Sequence, residues 1–149
     1  MKKNNEKYES YFFIIYLLLF FSFQIFFMKI SAILAIGKDN EIGLNGGLPW
    51  KSRADLQHFK HLTNDHCILM GFNTYKSIGH ALPNRRNIVI SFDKISIDGC
   101  ENFSSVEEGI KFAENNGEEE LFIVGGASIY KYCAEHNLLD RIYVSHMIY

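Results

Sequence analysis

The chain has 149 residues, enough to build one domain around a hydrophobic core and too few for two. Its formal net charge is −2 at pH 7, and its 15 lysines and arginines are dispersed among 17 aspartates and glutamates. This balance argues against a nucleic-acid-binding surface, so an anionic ligand must be held by individual cations rather than by a basic field.

The three cysteines and six histidines do not have the spacing of metal ligands. Cys67, Cys100 and Cys133 are odd in number, which favours free thiols of a reducing compartment over a disulfide framework. The sequence therefore predicts no metal site.

Residues 1–27 differ from the rest of the chain. The stretch 10–28 holds 19 residues without a charge, and a helix of that length is about 28 Å long, which just reaches across a hydrocarbon core. Three lysines precede it, so an anchor would keep the N-terminus in the cytoplasm. A cleaved signal is disfavoured because residues 25–27 offer no small-residue cleavage site.

A third interpretation is that Met28 is the natural start and that 1–27 is an artefact or a nonessential extension. We favour it because a predicted buried strand follows at once and leaves no linker for an anchor. The expected location is cytoplasmic, and a membrane contact through 11–27 is the alternative.

Buried strands alternate with helices from residue 28 onward. Near-continuous apolar runs, typical of strands buried on both faces, cover residues 30–36, 66–70, 87–91 and 121–124. Helices are predicted after Ser52, over 74–78, from Ser105 to about residue 116 and over 127–135, and a last strand starts at Arg141. The segment 118–120, Glu-Glu-Glu, reads as a solvated turn. This alternation predicts a three-layer α/β fold with a mainly parallel twisted sheet flanked by helices.

Residues 42–63 join a glycine-rich loop to a Pro-Trp pair and then to the first of these helices. Asp55 lies four residues before Phe59, so both share one side of the helix. A lone carboxylate beside an apolar stripe, under a mobile loop that carries an aromatic residue, is what a proton-handling pocket needs. Ser52-x-x-Asp55 also fits a capping box, and the local sequence alone favours that structural role.

Glycine-bearing turns follow the second and fourth strands, where the carboxyl ends of a parallel sheet meet. The turn at Gly71 opens a helix whose free N–H groups suit a pyrophosphate. Gly125 and Gly126 let the backbone approach a flat or phosphorylated ligand, although they do not form the GxGxxG fingerprint. Tight strand-to-helix packing explains either turn equally well.

Two arginines, Arg85 and Arg86, come just before the third strand. Paired cations in a turn usually face solvent. In a functional site, one arginine would hold a ligand carboxylate with two parallel hydrogen bonds.

Together, the order and spacing of these motifs resemble the dihydrofolate reductase family over residues 28–149. The matching blocks are Ala35…Ile42-Gly43, Leu48-Pro49-Trp50, Asp55-Leu56-x-x-Phe59-Lys60-x-x-Thr63, Met70-Gly71-x-x-Thr74, Ser77-Ile78-Gly79, Leu82-Pro83-x-Arg85-x-Asn87 and Val124-Gly125-Gly126-x-x-x-Tyr130. The resemblance implies reduction of 7,8-dihydrofolate to tetrahydrofolate by hydride transfer from NADPH, which feeds one-carbon metabolism and thymidylate synthesis.

The resemblance also implies roles for individual residues. Asp55 would be the single acid in the pterin pocket and favour protonation of N5, while Leu48 and Trp50 would belong to the catalytic loop that closes over the nicotinamide. The implied substrate-binding residues are Ile33, Asp55, Leu56, Phe59, Ile78, Leu82, Arg85, which would clamp the glutamate α-carboxylate, and Ser145, which would support Asp55. The implied cofactor-binding residues are Ala35, Ile42, Gly43, Gly71, Asn73, Thr74, Ser91, Val124, Gly125, Gly126 and Tyr130.

One departure from the family pattern concerns the cofactor. Phe72 and Phe92 stand where the family often places basic side chains that grip the 2′-phosphate of NADPH. We therefore expect weakened discrimination against NADH, with partial substitution by Asn73, Ser91 and Lys94.

The second departure is at the end of the chain, which stops partway through its last predicted strand. The closing antiparallel hairpin of the family is missing, so we expect residues 28–149 to form an incomplete domain that is poorly soluble or inactive. The alternatives are a truncated non-catalytic remnant and the reductase of riboflavin synthesis, which shares the fold. Asp55 with Phe59, and Arg85, favour the folate enzyme, and we expect a monomer.

Overall fold

The computed structural model describes residues 11–19, 27–36, 53–93 and 95–146, with the side chains of residues 53–55 and 146 outside that description. The predicted loop residues Ile42, Gly43, Leu48 and Trp50 lie outside the described residues, as does Lys94. Within the described ranges, no helix has the length and apolar character needed to cross a membrane.

Helices and strands alternate along the described chain. A helix α1 covers residues 11–19, and its side chains are exposed. The remaining elements are β1 (Lys29–Ile36), α2 (Arg53–Thr63), β2 (Cys67–Gly71), α3 (Phe72–Ile78), β3 (Arg86–Ile90), β4 (Cys100–Phe103), α4 (Val106–Asn115), β5 (Glu120–Gly125), α5 (Ala127–Glu135) and β6 (Arg141–His146).

The six described strands form one sheet in the order β4-β3-β2-β5-β1-β6, and every neighbouring pair is parallel. The predicted α/β architecture is therefore confirmed. Strand β4 was not predicted, because its sequence Cys-Glu-Asn-Phe is half-exposed and lacks the apolar run that identified the others. Since all these strands run the same way, their carboxyl ends meet at one edge of the sheet, the carboxyl edge, and their amino ends at the other, the amino edge.

Two apolar layers cover the faces of the sheet. On one face, α4 and α5 pack over a cluster that includes Ile30, Leu69 and Ile88. Gly109 permits this contact, because a Cβ there would lie 2.9 Å from Leu69 Cδ1. On the other face, α2 and α3 cover a second cluster built around Ile33, Phe59 and further buried or partly buried side chains, among them Ile68, Met70, Val89, Phe122, Val124, Ile78 and Leu82. This second layer contains four of the predicted substrate-binding side chains, Ile33, Phe59, Ile78 and Leu82.

The prediction of a solvated turn at residues 118–120 is wrong. The Glu118 carboxylate is only 11% exposed, with Oε1 2.6 Å from His66 Nδ1 and Oε2 accepting the Cys67 N–H at 2.8 Å. Glu120 already belongs to β5, and its Oε2 accepts a 2.6 Å hydrogen bond from Ser31 Oγ. A run of glutamates suggests a solvent-exposed segment. The donors near the amino ends of the buried strands need acceptors, however, and these glutamates supply them.

Candidate functional site at the carboxyl edge

The two glycine turns of the carboxyl edge lie side by side. Strand β2 pairs with β5, and the register brings Met70 opposite Gly125. Gly71 ends β2 and opens α3, while Gly126 is the N-cap of α5 and provides no side chain to cap it. The backbone N–H groups at the start of α5 are therefore not capped by the N-cap side chain and can bind an anion.

Thr74 fits closely against the second glycine turn. The Thr74 side chain is buried, and a Cβ on Gly126 or Gly125 would lie 3.1 or 3.3 Å from its Oγ1. Gly125 also has φ +137, a conformation that L side chains rarely adopt, and the Gly125–Gly126 peptide bond is cis. A side chain cannot replace either hydrogen without moving Thr74, so the turn keeps a bare backbone. Asn73, beside Thr74, is exposed.

Tyr130 joins the glycine turn to the central strand. Its hydroxyl donates a 2.6 Å hydrogen bond to the Ile33 carbonyl oxygen, which links α5 to β1. Burial raises the pKa of this hydroxyl, so Tyr130 stays neutral and keeps its proton for that bond. Its predicted contact with a cofactor would therefore come from the ring and not from the hydroxyl.

The predicted substrate wall assembles on the face covered by α2. Ile33, Phe59, Ile78 and Leu82 belong to the same apolar cluster, together with the predicted cofactor residues Ala35 and Val124. Leu56 lies on α2 one turn before Phe59 and is 45% exposed, so it is not among the buried side chains of this layer. Because Val124 directly precedes Gly125, this apolar layer reaches the glycine turn at the end of β5.

Arg85 lies at the end of this apolar face. Its Nη1 donates to Thr63 Oγ1 at 3.2 Å, its Nε donates to the Pro83 carbonyl at 2.9 Å, and its Cζ lies 6.0 Å from the centroid of the Phe59 ring. Burial lowers the pKa of this guanidinium, but the group remains charged at neutral pH. Among the described residues Nη2 has no hydrogen-bond partner, so donors remain for a carboxylate.

Asn87 holds the turn that positions Arg85, a role that the sequence did not reveal. The buried Asn87 amide accepts from the Leu82 N–H and donates to the Leu82 and Arg85 carbonyl oxygens, all between 2.9 and 3.0 Å. A buried amide with three backbone partners fixes the turn in one conformation. The only signal was its place in the motif Leu-Pro-x-Arg-x-Asn.

Asp55 and Ser145 lie on different elements. Asp55 lies in α2, with its side chain outside the described set, and Ser145 pairs with Ala35 across β1 and β6. Their predicted partnership stays a prediction.

Phe72 and Phe92, the two residues that depart from the family pattern at the cofactor phosphate, have different surroundings. Phe92 follows β3 directly and is 96% exposed. Phe72 stacks on Tyr75, and the Lys76 ammonium lies 5.1 Å from the centroid of the Phe72 ring. Ser91, between β3 and Phe92, is buried and donates its backbone N–H to Phe103.

A separate cavity of about 960 Å³ opens at the amino edge, away from the glycine turns. Cys67 and Cys100 line it, but burial raises the pKa of Cys67 to about 12 and that of Cys100 above its ordinary value, so neither thiol is a nucleophile at neutral pH. The described part of the chain holds no group of three or more His, Cys, Asp or Glu placed to bind a metal ion.

The open parallel sheet, the bare glycine turns at its carboxyl edge and the apolar face beside Arg85 define an α/β protein with a candidate site for a nucleotide and an apolar ligand. The family model described as dihydrofolate reductase matches residues 29–148. The chain belongs to the dihydrofolate reductase family, as its motifs predicted.

Individual relatives agree with this assignment. The chain is 43% identical over 105 residues to a dihydrofolate reductase of Staphylococcus haemolyticus, covering 70% of this chain and 62% of that protein. It is 38% identical over 117 residues to the dihydrofolate reductase of Bacillus subtilis, covering 78% and 67%. Among solved structures, dihydrofolate reductase from Enterococcus faecalis complexed with NADP(H) superposes with a TM-score of 0.71 at 30% identity, covering 79% of this chain and 70% of that one.

Proposed function

We propose that the protein reduces 7,8-dihydrofolate to tetrahydrofolate with a hydride from a reduced nicotinamide dinucleotide, NADPH in the related enzymes. Family membership supports this activity. The observation that carries it is the apolar face under α2, which reaches the glycine turn at Val124 and has Arg85 beside Phe59. Bare glycine turns suit a pyrophosphate, an apolar face suits a flat pterin, and Arg85 at its end suits a carboxylate.

The residues present fit a dinucleotide. The N-terminus of α5 has no side-chain cap, and the Gly125–Gly126 backbone is bare of side chains, so a phosphorylated group can approach the N–H donors directly. When bound, the reduced nicotinamide supplies the hydride. In this proposal the turns at Gly71 and Gly126 would hold the pyrophosphate, and Ala35 on β1 would contact the nicotinamide.

The protein's part in the reaction is to align the two rings and to favour the proton. Ile33 and Phe59 would hold the pterin by burial, and Arg85 would fix its far end through the glutamate α-carboxylate. Hydride addition at C6 must be matched by a proton at N5. Asp55, on α2 one turn before Phe59, is the proposed group that favours this protonation, because a carboxyl group in an apolar pocket holds its proton to higher pH.

Folate is proposed over the substrate of the riboflavin-pathway reductase because Arg85 packs against Phe59. An aromatic ring followed by a carboxylate, as in the aminobenzoyl-glutamate of folate, fits that pair. We further propose that residues 28–149 form the reductase domain, with 1–27 as an extension outside it, and that the protein acts as a cytoplasmic monomer.

The experiment is an assay of cofactor oxidation in the presence and absence of dihydrofolate. The Asp55→Asn variant should lose roughly 10²- to 10⁴-fold in kcat at neutral pH, the usual contribution of a positioned acid. Asp98→Asn is the matched control, since Asp98 is an exposed acid on the loop before β4 and should leave kcat unchanged. Equal activity of Asp55→Asn and wild type would refute the role of Asp55, and no dihydrofolate-dependent oxidation would refute the function.

A further inference from the structure

Thr63 is the last residue of the motif that begins at Asp55, and it ends α2. Its side chain is fully buried, with 0% of its surface exposed. The hydroxyl donates a hydrogen bond to the Phe59 carbonyl oxygen at 2.8 Å, one helical turn earlier. Since a hydroxyl carries a single hydrogen, Thr63 Oγ1 can act toward any other group only as an acceptor.

Arg85 supplies the matching donor. Its Nη1 lies 3.2 Å from Thr63 Oγ1, and this hydrogen bond joins the end of α2 to the turn before β3. The Thr63 carbonyl oxygen accepts the His66 N–H at 3.0 Å, which holds the Thr63 backbone in place. The orientation of the acceptor is therefore set by groups other than Arg85.

Two of the three guanidinium nitrogens of Arg85 are held by protein oxygens. Nε donates to the Pro83 carbonyl oxygen at 2.9 Å, and Nη1 donates to Thr63. Two bonds from different nitrogens fix the plane of the rigid guanidinium, and its Cζ lies over the Phe59 ring. Nη1 keeps a second hydrogen, and Nη2 has no hydrogen-bond partner among the described residues, so donors remain for both oxygens of a carboxylate.

We propose that Thr63 is a positioning residue for Arg85: its hydroxyl holds the guanidinium over Phe59 in the orientation that receives the glutamate α-carboxylate of dihydrofolate. The inference rests on the proposed function, since it deepens the role given there to Arg85. A long arginine side chain that is already fixed loses less conformational entropy when a ligand binds. Thr63 thereby contributes to substrate affinity without contacting the substrate.

A purely structural role for Thr63 is the competing explanation. A threonine that bonds back to the carbonyl four residues earlier satisfies its hydroxyl within the helix and needs no further partner. In that case, removal of the hydroxyl would lower stability but would not distinguish ligands with and without a glutamate. The contact with Arg85 Nη1 favours the positioning role, because it connects the buried hydroxyl to the cation beside the apolar face.

The test is a double-mutant cycle in which binding is titrated without cofactor, using Thr63→Val and Arg85→Met alone and combined. Val removes the hydroxyl and keeps the branched shape, so the Kd for dihydrofolate should rise about five- to tenfold. The Kd for 7,8-dihydropteroate, which lacks the glutamate, should not change. In the Arg85→Met background, Thr63→Val should have no further effect on either ligand. Thr63→Ser is the matched control, because it keeps the hydroxyl and should bind dihydrofolate as the wild type does.

A second measurement does not depend on the proposed reaction. The Arg85 Nε–H signal in the NMR spectrum of the ligand-free chain is assigned by its loss in Arg85→Met, and its heteronuclear Overhauser enhancement reports side-chain mobility. Thr63→Val should lower this enhancement, and Thr63→Ser should preserve it.

Three outcomes overturn the proposal: unchanged Arg85 mobility in Thr63→Val, an equal loss of affinity for dihydropteroate, or additive effects in the double variant. The two proposals can fail separately. Increased Arg85 mobility in Thr63→Val, in a chain that does not reduce dihydrofolate, would remove the proposed reaction and leave the role of Thr63 toward Arg85 intact.

Discussion

The two edges of the parallel sheet differ in what their polar groups bind. At the amino edge these groups bind each other. Glu118 accepts from the Cys67 N–H beside the His66 ring, and Arg86 Nη1 donates to Asn116 Oδ1 at 2.7 Å. At the carboxyl edge the N-cap of α5 is Gly126, which contributes no side-chain acceptor.

The difference shows that the amino edge of the sheet contributes to stability, whereas the carboxyl edge is available for binding a ligand. Polar groups that are satisfied within the protein hold the strands in register, and they are costly to disturb because they are partly buried. Helix ends without a cap leave donors that a ligand can use. The same kind of backbone group therefore stabilises the fold at one edge and forms a site at the other.

The largest effect is expected from a methyl group placed in the bare glycine turn. Gly125→Ala must hold an L residue at φ +137 and place a Cβ 3.3 Å from Thr74 Oγ1. We expect cofactor affinity to fall by about 100-fold, because a displaced backbone loses its alignment with the ligand. Calorimetric titration with NADPH and NADH measures the loss.

Gly117→Ala is the control for backbone strain. Gly117 also has positive φ, +74, but its Cβ would meet nothing within 4 Å and it lies at the amino edge. It should lower thermal stability slightly and leave cofactor affinity unchanged. Similar losses of affinity in the two variants would mean that strain, and not the bare turn, controls binding.

Arg85 connects the two regions, because it starts at the amino edge but contacts Thr63 and Phe59 on the face covered by α2. Arg85→Met should raise KM for dihydrofolate roughly 10- to 30-fold with little change in kcat, as expected when a charged hydrogen bond is lost. The check is 7,8-dihydropteroate, which lacks the glutamate. Wild type and variant should have the same KM for it, and a tenfold difference there would show that Arg85 acts only by holding the turn.

The smallest predicted effect concerns the paired groups of the amino edge. The pKa of Glu118 lies below its ordinary value of 4.5; burial opposes this shift, but hydrogen bonds from His66 and the Cys67 N–H outweigh it. A carboxyl group with a depressed pKa in the folded state adds stability that is complete above the unfolded pKa and is lost as pH falls through the folded one.

Glu118→Gln should therefore be about 1–2 kcal/mol less stable than wild type at pH 7, and the difference should shrink below about pH 4.5. Urea unfolding across this pH range measures it, with the exposed Glu119→Gln as control. A difference that is constant with pH, or one that grows on acidification, would show that Glu118 does not stabilise as a carboxylate.

The sequence predicted the sheet and the layers because its central strands are continuous apolar runs. It missed β4, whose partly exposed polar residues have no such pattern. It also misjudged the acids at 118–120, because a run of glutamates reads the same whether its carboxylates are solvated or hydrogen-bonded within the protein. Whether a glutamate is solvated or hydrogen-bonded depends on the donor groups of neighbouring strands. The local sequence does not show which strands are neighbours.

The candidate site was predictable in its glycine turns and in Arg85, which carry distinctive motifs. The role of Asn87 was not. It acts through three backbone hydrogen bonds within its own turn, and these depend on how residues 82–87 fold back on themselves.

Dihydrofolate reduction at this site is tested most directly by following the transferred hydride. NADPH and NADH carrying deuterium at the transferable position of nicotinamide C4 are each incubated with the chain and dihydrofolate, and the folate product is analysed by mass spectrometry. We predict tetrahydrofolate with one deuterium at C6, formed by the wild type and lost with Asp55→Asn. Unlabelled product, or none from a chain that binds the cofactor, would contradict the claim that the carboxyl edge and the apolar face form a dihydrofolate reductase site.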